Sequence, residues 1–217
     1  MSRTRVAILI SGRGSNMAAL IEAAKRADYP AEIVLVLSNN PDAVGLVRAR
    51  EAGIATAIVD HKPYGKDRDA FERALQGELA ARQIEIVCLA GFMRLFTPGF
   101  VQKWQGRMLN IHPSLLPSFK GLDPHGQALA AGVKLHGATV HFVVPEMDSG
   151  PIVAQVAVPV LEEDTPETLA TRVLAAEHRI YPLALRLVAE DRVHIVDGRC
   201  AIDGARFAEF GMANPTG

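Results

Sequence analysis

The chain has 217 residues, with 23 basic side chains against 24 acidic ones and a formal net charge of −1, so bulk charge draws it neither to nucleic acid nor to an anionic membrane. Hydrophobic residues make up 49% of it, enough to build a core and too many for a disordered chain. Two cysteines, Cys88 and Cys200, are too few for a disulfide framework and wrongly spaced for zinc, which points to a reducing, cytoplasmic setting.

The first apolar run, 6–10, is closed by Ser11 and Gly12. It is too short for a signal peptide, and no stretch reaches the length of a membrane span. From there to about residue 90, β-branched runs alternate with helical patterns, as βαβ units around a parallel sheet require. The spacing predicts strands over 5–10, 32–38, 56–59 and 86–90, with helices over 16–27, 43–52 and 67–82. On the last of these helices Phe71, Ala74, Leu75 and Leu79 share one face, which leaves Arg68, Glu72, Arg73 and Glu78 to the others.

Beyond Pro98 the pattern changes. A strand is predicted over 107–112, then a Pro-rich loop over 113–124, a short helix over 127–131, and strands over 138–144 and 152–158. These last two are joined too tightly for a parallel crossover, so they should run antiparallel. A helix over 166–190 carries Leu169, Val173, Ala176, Ile180, Leu183 and Leu187 as an apolar stripe. Pro182 inside it predicts a kink and an unpaired carbonyl near His178. A terminal hairpin over 193–202 and a loose tail over 211–217 complete the chain. The expectation is one α/β domain over 1–217, doubly wound, with a sheet mostly parallel and mixed in its C-terminal part.

Three segments carry candidate chemistry. Ser11-Gly12-Arg13-Gly14-Ser15-Asn16 follows the first strand and opens a helix, so its backbone amides and the helix end suit an anion. The dinucleotide fingerprint fails at Met17 and at Asn39-Asn40, and the Walker lysine is missing, so a single phosphomonoester fits best. A plain turn with Ser15 or Asn16 as helix cap is the alternative. In Asn110-Ile111-His112-Pro113, strand alternation puts Asn110 and His112 on one side, and Pro113 restricts His112 to extended backbone. An amide and an imidazole so placed can meet an oxyanion and move a proton, or can simply be a hydrogen-bonded pair at a strand end. Asp148, in Asp148-Ser149-Gly150-Pro151, can pair with His112 and favour its charged form, or can be ordinary turn chemistry.

A metal site is not expected. His136 and His141 differ by an odd number, so a regular strand turns them to opposite sides, and no His-Glu-x-x-His occurs. No nucleophile elbow is present, Cys88 reads as a core thiol, and Glu177-His178 reads as a surface pair on its helix.

Gly12-Arg13-Gly14-Ser15-Asn16, Ala90-Gly91-Phe92-Met93-Arg94, Asn110-Ile111-His112-Pro113-Ser114-Leu115-Leu116-Pro117 and Asp148-Ser149-Gly150-Pro151 stand in the order and at the spacings of a known family. The chain resembles the glycinamide ribonucleotide formyltransferases, folate-dependent formyltransferases of purine (IMP) biosynthesis, over about residues 6–194. The resemblance implies a formyltransferase fold with a Rossmann-like nucleotide half over 1–105 and a catalytic and folate half over 106–217. It implies Asn110, His112 and Asp148 as the catalytic trio. Gly14, Ser15 and Asn16 would hold the nucleotide phosphate and Glu177 the ribose. The folate would meet Arg68, Met93, Arg94, Leu95, Phe96, Asn110, Val144, Met147 and Asp148.

The implied reaction moves the formyl group of 10-formyltetrahydrofolate, a co-substrate, to the amine of phosphoribosylglycinamide. The implied partners are small molecules, without metal, nucleic acid or membrane, for a monomer or homodimer. The same motifs occur in formyltetrahydrofolate deformylases, which makes hydrolysis of the folate the alternative, and in methionyl-tRNA formyltransferases. Those relatives carry an extra N-terminal or C-terminal domain respectively, for which 217 residues leave no room. Leu174, and the stretch Leu122-Asp123-Pro124-His125, depart from the family pattern.

Overall fold

A computed structural model describes residues 3–204; the tail expected over 211–217 lies outside the described residues. Strands β1 (Thr4–Ile10), β2 (Ala31–Ser38), β3 (Ala55–Ile58), β4 (Ile86–Leu89), β5 (Met108–His112), β6 (Leu135–Phe142) and β7 (Ile152–Pro159) form a sheet of order β3-β2-β1-β4-β5-β6-β7. β1 pairs in parallel with β2 and β4, β2 with β3, and β4 with β5, while β6 and β7 are antiparallel. This is the mixed α/β sheet the sequence predicts. The described residues fall into two compact units. The first runs to Asn110 and takes in Phe142–Pro145, and the second comprises Ile111–His141 and continues from Glu146.

In the first unit β1 lies between two parallel neighbours, and Val6, Ala7, Ile8, Leu9 and Ile10 are all 0% exposed. A strand covered on both faces reads as a continuous apolar run rather than an alternation. Helices α1 (Ser15–Ala24), α2 (Val44–Glu51), α3 (Arg68–Ala81) and α4 (Pro98–Lys103) belong to this unit. α3 starts because the Asp67 side chain accepts from Ala70 N, and it sends Phe71, Leu75 and Leu79 into a core with Leu35, Leu37, Trp104 and Met108. Each such fully buried side chain contributes about 1.5–3 kcal/mol. Glu72, expected on an outer face, is instead 5% exposed.

The second unit holds the β6-β7 hairpin, α5 (Pro124–Ala130), α6 (Pro166–Ala189) and the hairpin β8 (Val193–Val196) to β9 (Arg199–Ile202). α6 is started by a capping box between Thr165 and Thr168 with Pro166 in its first turn, and it runs unbroken through Pro182. Asp164 sits just before it, bonded to Arg172 at 2.6 and 2.9 Å and to Thr168 at 2.8 Å. The guanidinium, helped by the Leu161 amide and Thr168, holds the Asp164 carboxyl far below the usual carboxylate range. α5 begins three residues earlier than predicted, because Asp123 caps it through Gly126 N and Pro124 fills its first turn. α4 has the same start, with Thr97 accepting from Phe100 N ahead of Pro98. No helix among the described residues is long and apolar enough to cross a membrane.

Candidate active site

The turn after β1 is shaped by two glycines. Gly14 has φ 67° and caps α1 from the left-handed region, with no side-chain cap, so Ser15 and Asn16 are the first helical residues rather than caps. A Cβ on Gly14 would lie 3.0 Å from Met17 Cε and 3.3 Å from Gly45 Cα. Gly45, from α2, approaches as closely: its amide donates to Gly12 O at 3.0 Å, and a Cβ would lie 2.5 Å from Ile10 Cδ1. Sequence reasoning missed Gly45, whose signal is a poor helix former in the first turn of a helix. The loop borders a recess of about 270 Å³ whose lining includes Gly12, Arg13, Ser15, Asn16, Gly91 and Met93. Backbone amides opening α1 and the exposed Arg13 suit it to an anion.

The 91–97 loop is held at both ends. Met93 N donates to Ser11 Oγ at 2.8 Å, and Ser11 N to Gly91 O at 3.1 Å. At the far end the buried Glu72 carboxylate accepts from Thr97 N and Thr97 Oγ1, both at 2.5 Å. Phe96 stacks between Phe92 and Phe100, with centroids 5.4 and 4.7 Å away, while Met93 and Leu95 are 66% and 65% exposed. Arg94 is half-buried and Arg68, the first residue of α3, is exposed. Apolar side chains standing open over an anchored loop can cover a flat ring.

Asn110, half-buried, and His112, 6% exposed, stand two apart on β5, which places them on one side of the strand. In the second unit His112 Nε2 donates to the Phe119 carbonyl at 3.0 Å, and its Nδ1 is 3.5 Å from Asp148 Oδ2. Both ring nitrogens therefore face oxygens. Asp148, at φ 50°, also accepts from Gly121 N at 3.0 Å, and its Oδ1 is 3.8 Å from His141 Nε2. The three side chains are between 3% and 10% exposed. Sequence reasoning missed His141 here. The register shift between Val140 and His141 skips Val153 of β7, so the extra residue lies on β7 and not between His136 and His141; His141 meets Asp148, whereas His136 meets His125 and Phe119.

His136 lies beside His125, with centroids 5.3 Å apart, and beside Phe119 at 5.8 Å. Burial, then the neighbouring His125, pushes the His136 imidazole down to about 4. Burial also lowers His125 and His178. Glu177 is 5% exposed on the inward side of α6, so Glu177-His178 is no surface pair. Val144 is half-buried and Met147 is 53% exposed. Cys88 is buried as expected, and burial pushes the Cys200 thiol up to about 11, away from nucleophilic use. Among the described residues no three or more His, Cys, Asp or Glu side chains gather as metal ligands.

Parallel strands feeding an anion-suited loop, and a carboxylate-backed histidine at a strand end, define an enzyme of the α/β class. The chain belongs to the formyl transferase family, whose model matches residues 4–185. It is 43% identical over 208 residues to phosphoribosylglycinamide formyltransferase of Escherichia coli (strain K12), covering 96% of this chain and 98% of that one. It is 52% identical over 194 residues to the trifunctional purine biosynthetic protein adenosine-3 of Gallus gallus, covering 89% of this chain; the match spans 19% of that much longer protein. The crystal structure of glycinamide ribonucleotide transformylase 1 from Symbiobacterium toebii superposes with a TM-score of 0.89 at 48% identity, over 92% of this chain and 94% of that one.

Proposed function

We propose that this chain transfers the formyl group of 10-formyltetrahydrofolate to the amine of phosphoribosylglycinamide, giving formylglycinamide ribonucleotide and tetrahydrofolate in purine biosynthesis. The observation that carries the mechanism is the buried His112–Asp148 pair at the end of β5, with Asn110 one alternation away. The amine lone pair attacks the formyl carbon, the carbonyl electrons move to oxygen, and the Asn110 amide and a His112 N–H meet that oxygen. The new C–N bond stays, the bond to folate N10 breaks, the amine loses a proton and N10 gains one.

The Nε2 proton that His112 gives to the Phe119 carbonyl is the one an oxyanion would take, since a hydrogen bond to a charged acceptor is about twice as strong as one to a neutral carbonyl. Asp148 at Nδ1 orients the ring and offsets its charge, as the carboxylate does in a hydrolase triad.

Gly14, Ser15 and Asn16 hold the phosphate and Glu177 the ribose. Arg68, Met93, Arg94, Leu95, Phe96, Asn110, Val144, Met147 and Asp148 receive the folate, a co-substrate, and no metal takes part. The protein works in the cytoplasm as a monomer or homodimer and as one domain. The test is to incubate it with formyl-labelled folate, with and without the nucleotide. The label should reach the nucleotide amine, and tetrahydrofolate should appear only when nucleotide is present. Labelled formate released without nucleotide would make the chain a deformylase instead.

A further inference from the structure

The loop that borders the anion recess and the loop that carries Met93 and Leu95 share one hydroxyl. Ser11 opens the first with its main chain, and its Oγ accepts from Met93 N at 2.8 Å, where the second begins. The same Oγ donates to Asn39 Oδ1 at 2.6 Å, and Asn39 is 3% exposed. The Ser11 carbonyl accepts from Asn40 Nδ2 at 3.4 Å, and its amide is spent on Gly91 O. Every polar group of Ser11 is thus committed, and the hydroxyl is aimed by a buried amide at the end of β2. Asn39 in turn sits against His61, with its Nδ2 3.1 Å from His61 Nδ1.

We infer that Ser11 is a positioning residue that couples the two ligand sites. A phosphate seated on Gly14–Asn16 fixes the main chain that carries the hydroxyl, and the hydroxyl fixes the amide from which the segment with the exposed Met93 and Leu95 extends. A ligand that shifts or stiffens one loop acts on the other through this bond, and by linkage the effect is the same in both directions. Ser11 touches no reacting atom in this account. Its loss removes one neutral hydrogen bond between the loops, a change of about threefold to tenfold in an equilibrium constant. The inference rests on the assignment of phosphate and folate to these two loops.

The test is calorimetric. The affinity of phosphoribosylglycinamide is measured with and without saturating tetrahydrofolate, which has no formyl group to transfer, in the native protein, Ser11→Ala and Ser11→Thr. The native protein should bind the nucleotide several-fold tighter when folate is present. Ser11→Ala should stay folded, melting a few degrees lower because the buried Asn39 Oδ1 loses its donor, and should bring that ratio close to one, and Ser11→Thr should restore it. An equal ratio in Ser11→Ala and native protein, a native ratio of one, or a well-folded Ser11→Thr with no recovery would overturn the coupling while leaving both binding sites in place. A native protein that binds neither ligand would overturn the functional reading itself.

Discussion

In the first unit the groups offered around residues 11–16 are mainly backbone amides, shaped by Gly14 and Gly45, whereas in the second His112, His141 and Asp148 are ionisable side chains at 10% exposure or less. A site made of backbone is insensitive to most side-chain chemistry and intolerant of a single added Cβ. A site made of buried charge has the opposite weakness. It tolerates small movements of the chain and fails when one proton or one charge is taken away, because the remaining partners are left without compensation.

That contrast can be broken from the charged side first. His112→Ala should lower kcat by about a hundred- to a thousandfold, the usual cost of one oxyanion donor, with nucleotide affinity within about twofold of native; a large loss of affinity with intact kcat would reverse the roles of the two regions. Asp148→Asn keeps an acceptor for Gly121 N–H and removes the charge, at the cost of one of the two acceptor oxygens. It should melt close to the native temperature while kcat falls by roughly ten- to a hundredfold, measured in the same assay. On the backbone side, Gly45→Ala places a methyl 2.5 Å from Ile10 Cδ1 and 3.0 Å from Gly12 O. It should raise the nucleotide KM by about tenfold and leave kcat nearly unchanged, because the displaced loop only binds.

The smallest expected effect is on stability against pH. His136 in the folded chain is held down to about 4, against about 6.5 unfolded. Between those values the unfolded chain binds the extra proton, so stability rises with pH and is lost on acidification through this window. His125 and His178 are shifted the same way. Asp164 acts lower: its depressed carboxyl contributes stability that is present above the unfolded carboxylate range and lost below it. Denaturant melts of native protein and His136→Gln at pH 7 and pH 5 should show a shallower acid loss in the variant.

Much of this was legible in the sequence because local pattern and tertiary need agreed. The run over 6–10 read as a strand of a parallel sheet, and the alternation of Asn110 and His112 followed from strand geometry alone. The omissions share a cause. Thr97-Pro98, Asp123-Pro124 and Thr165-Pro166 are the same helix start, a capping side chain before a proline, yet only the third precedes a long apolar stripe, so the first helix goes unread and the second is read three residues late. Glu72 has the polar identity of a surface residue, and its partner, Thr97, is 25 positions away. Gly45 acquires its place through a close backbone approach, and His141 through a carboxylate on the loop after its strand, neither of which leaves a periodic trace.

The mechanism turns on whether Asn110 and His112 stabilise the oxygen of the tetrahedral intermediate, and single-turnover kinetics of Asn110→Ala with both substrates saturating measures that step alone. Formyl transfer should be about a hundred- to a thousandfold slower than in the native protein at unchanged substrate affinities. Transfer within about twofold of the native rate would contradict it.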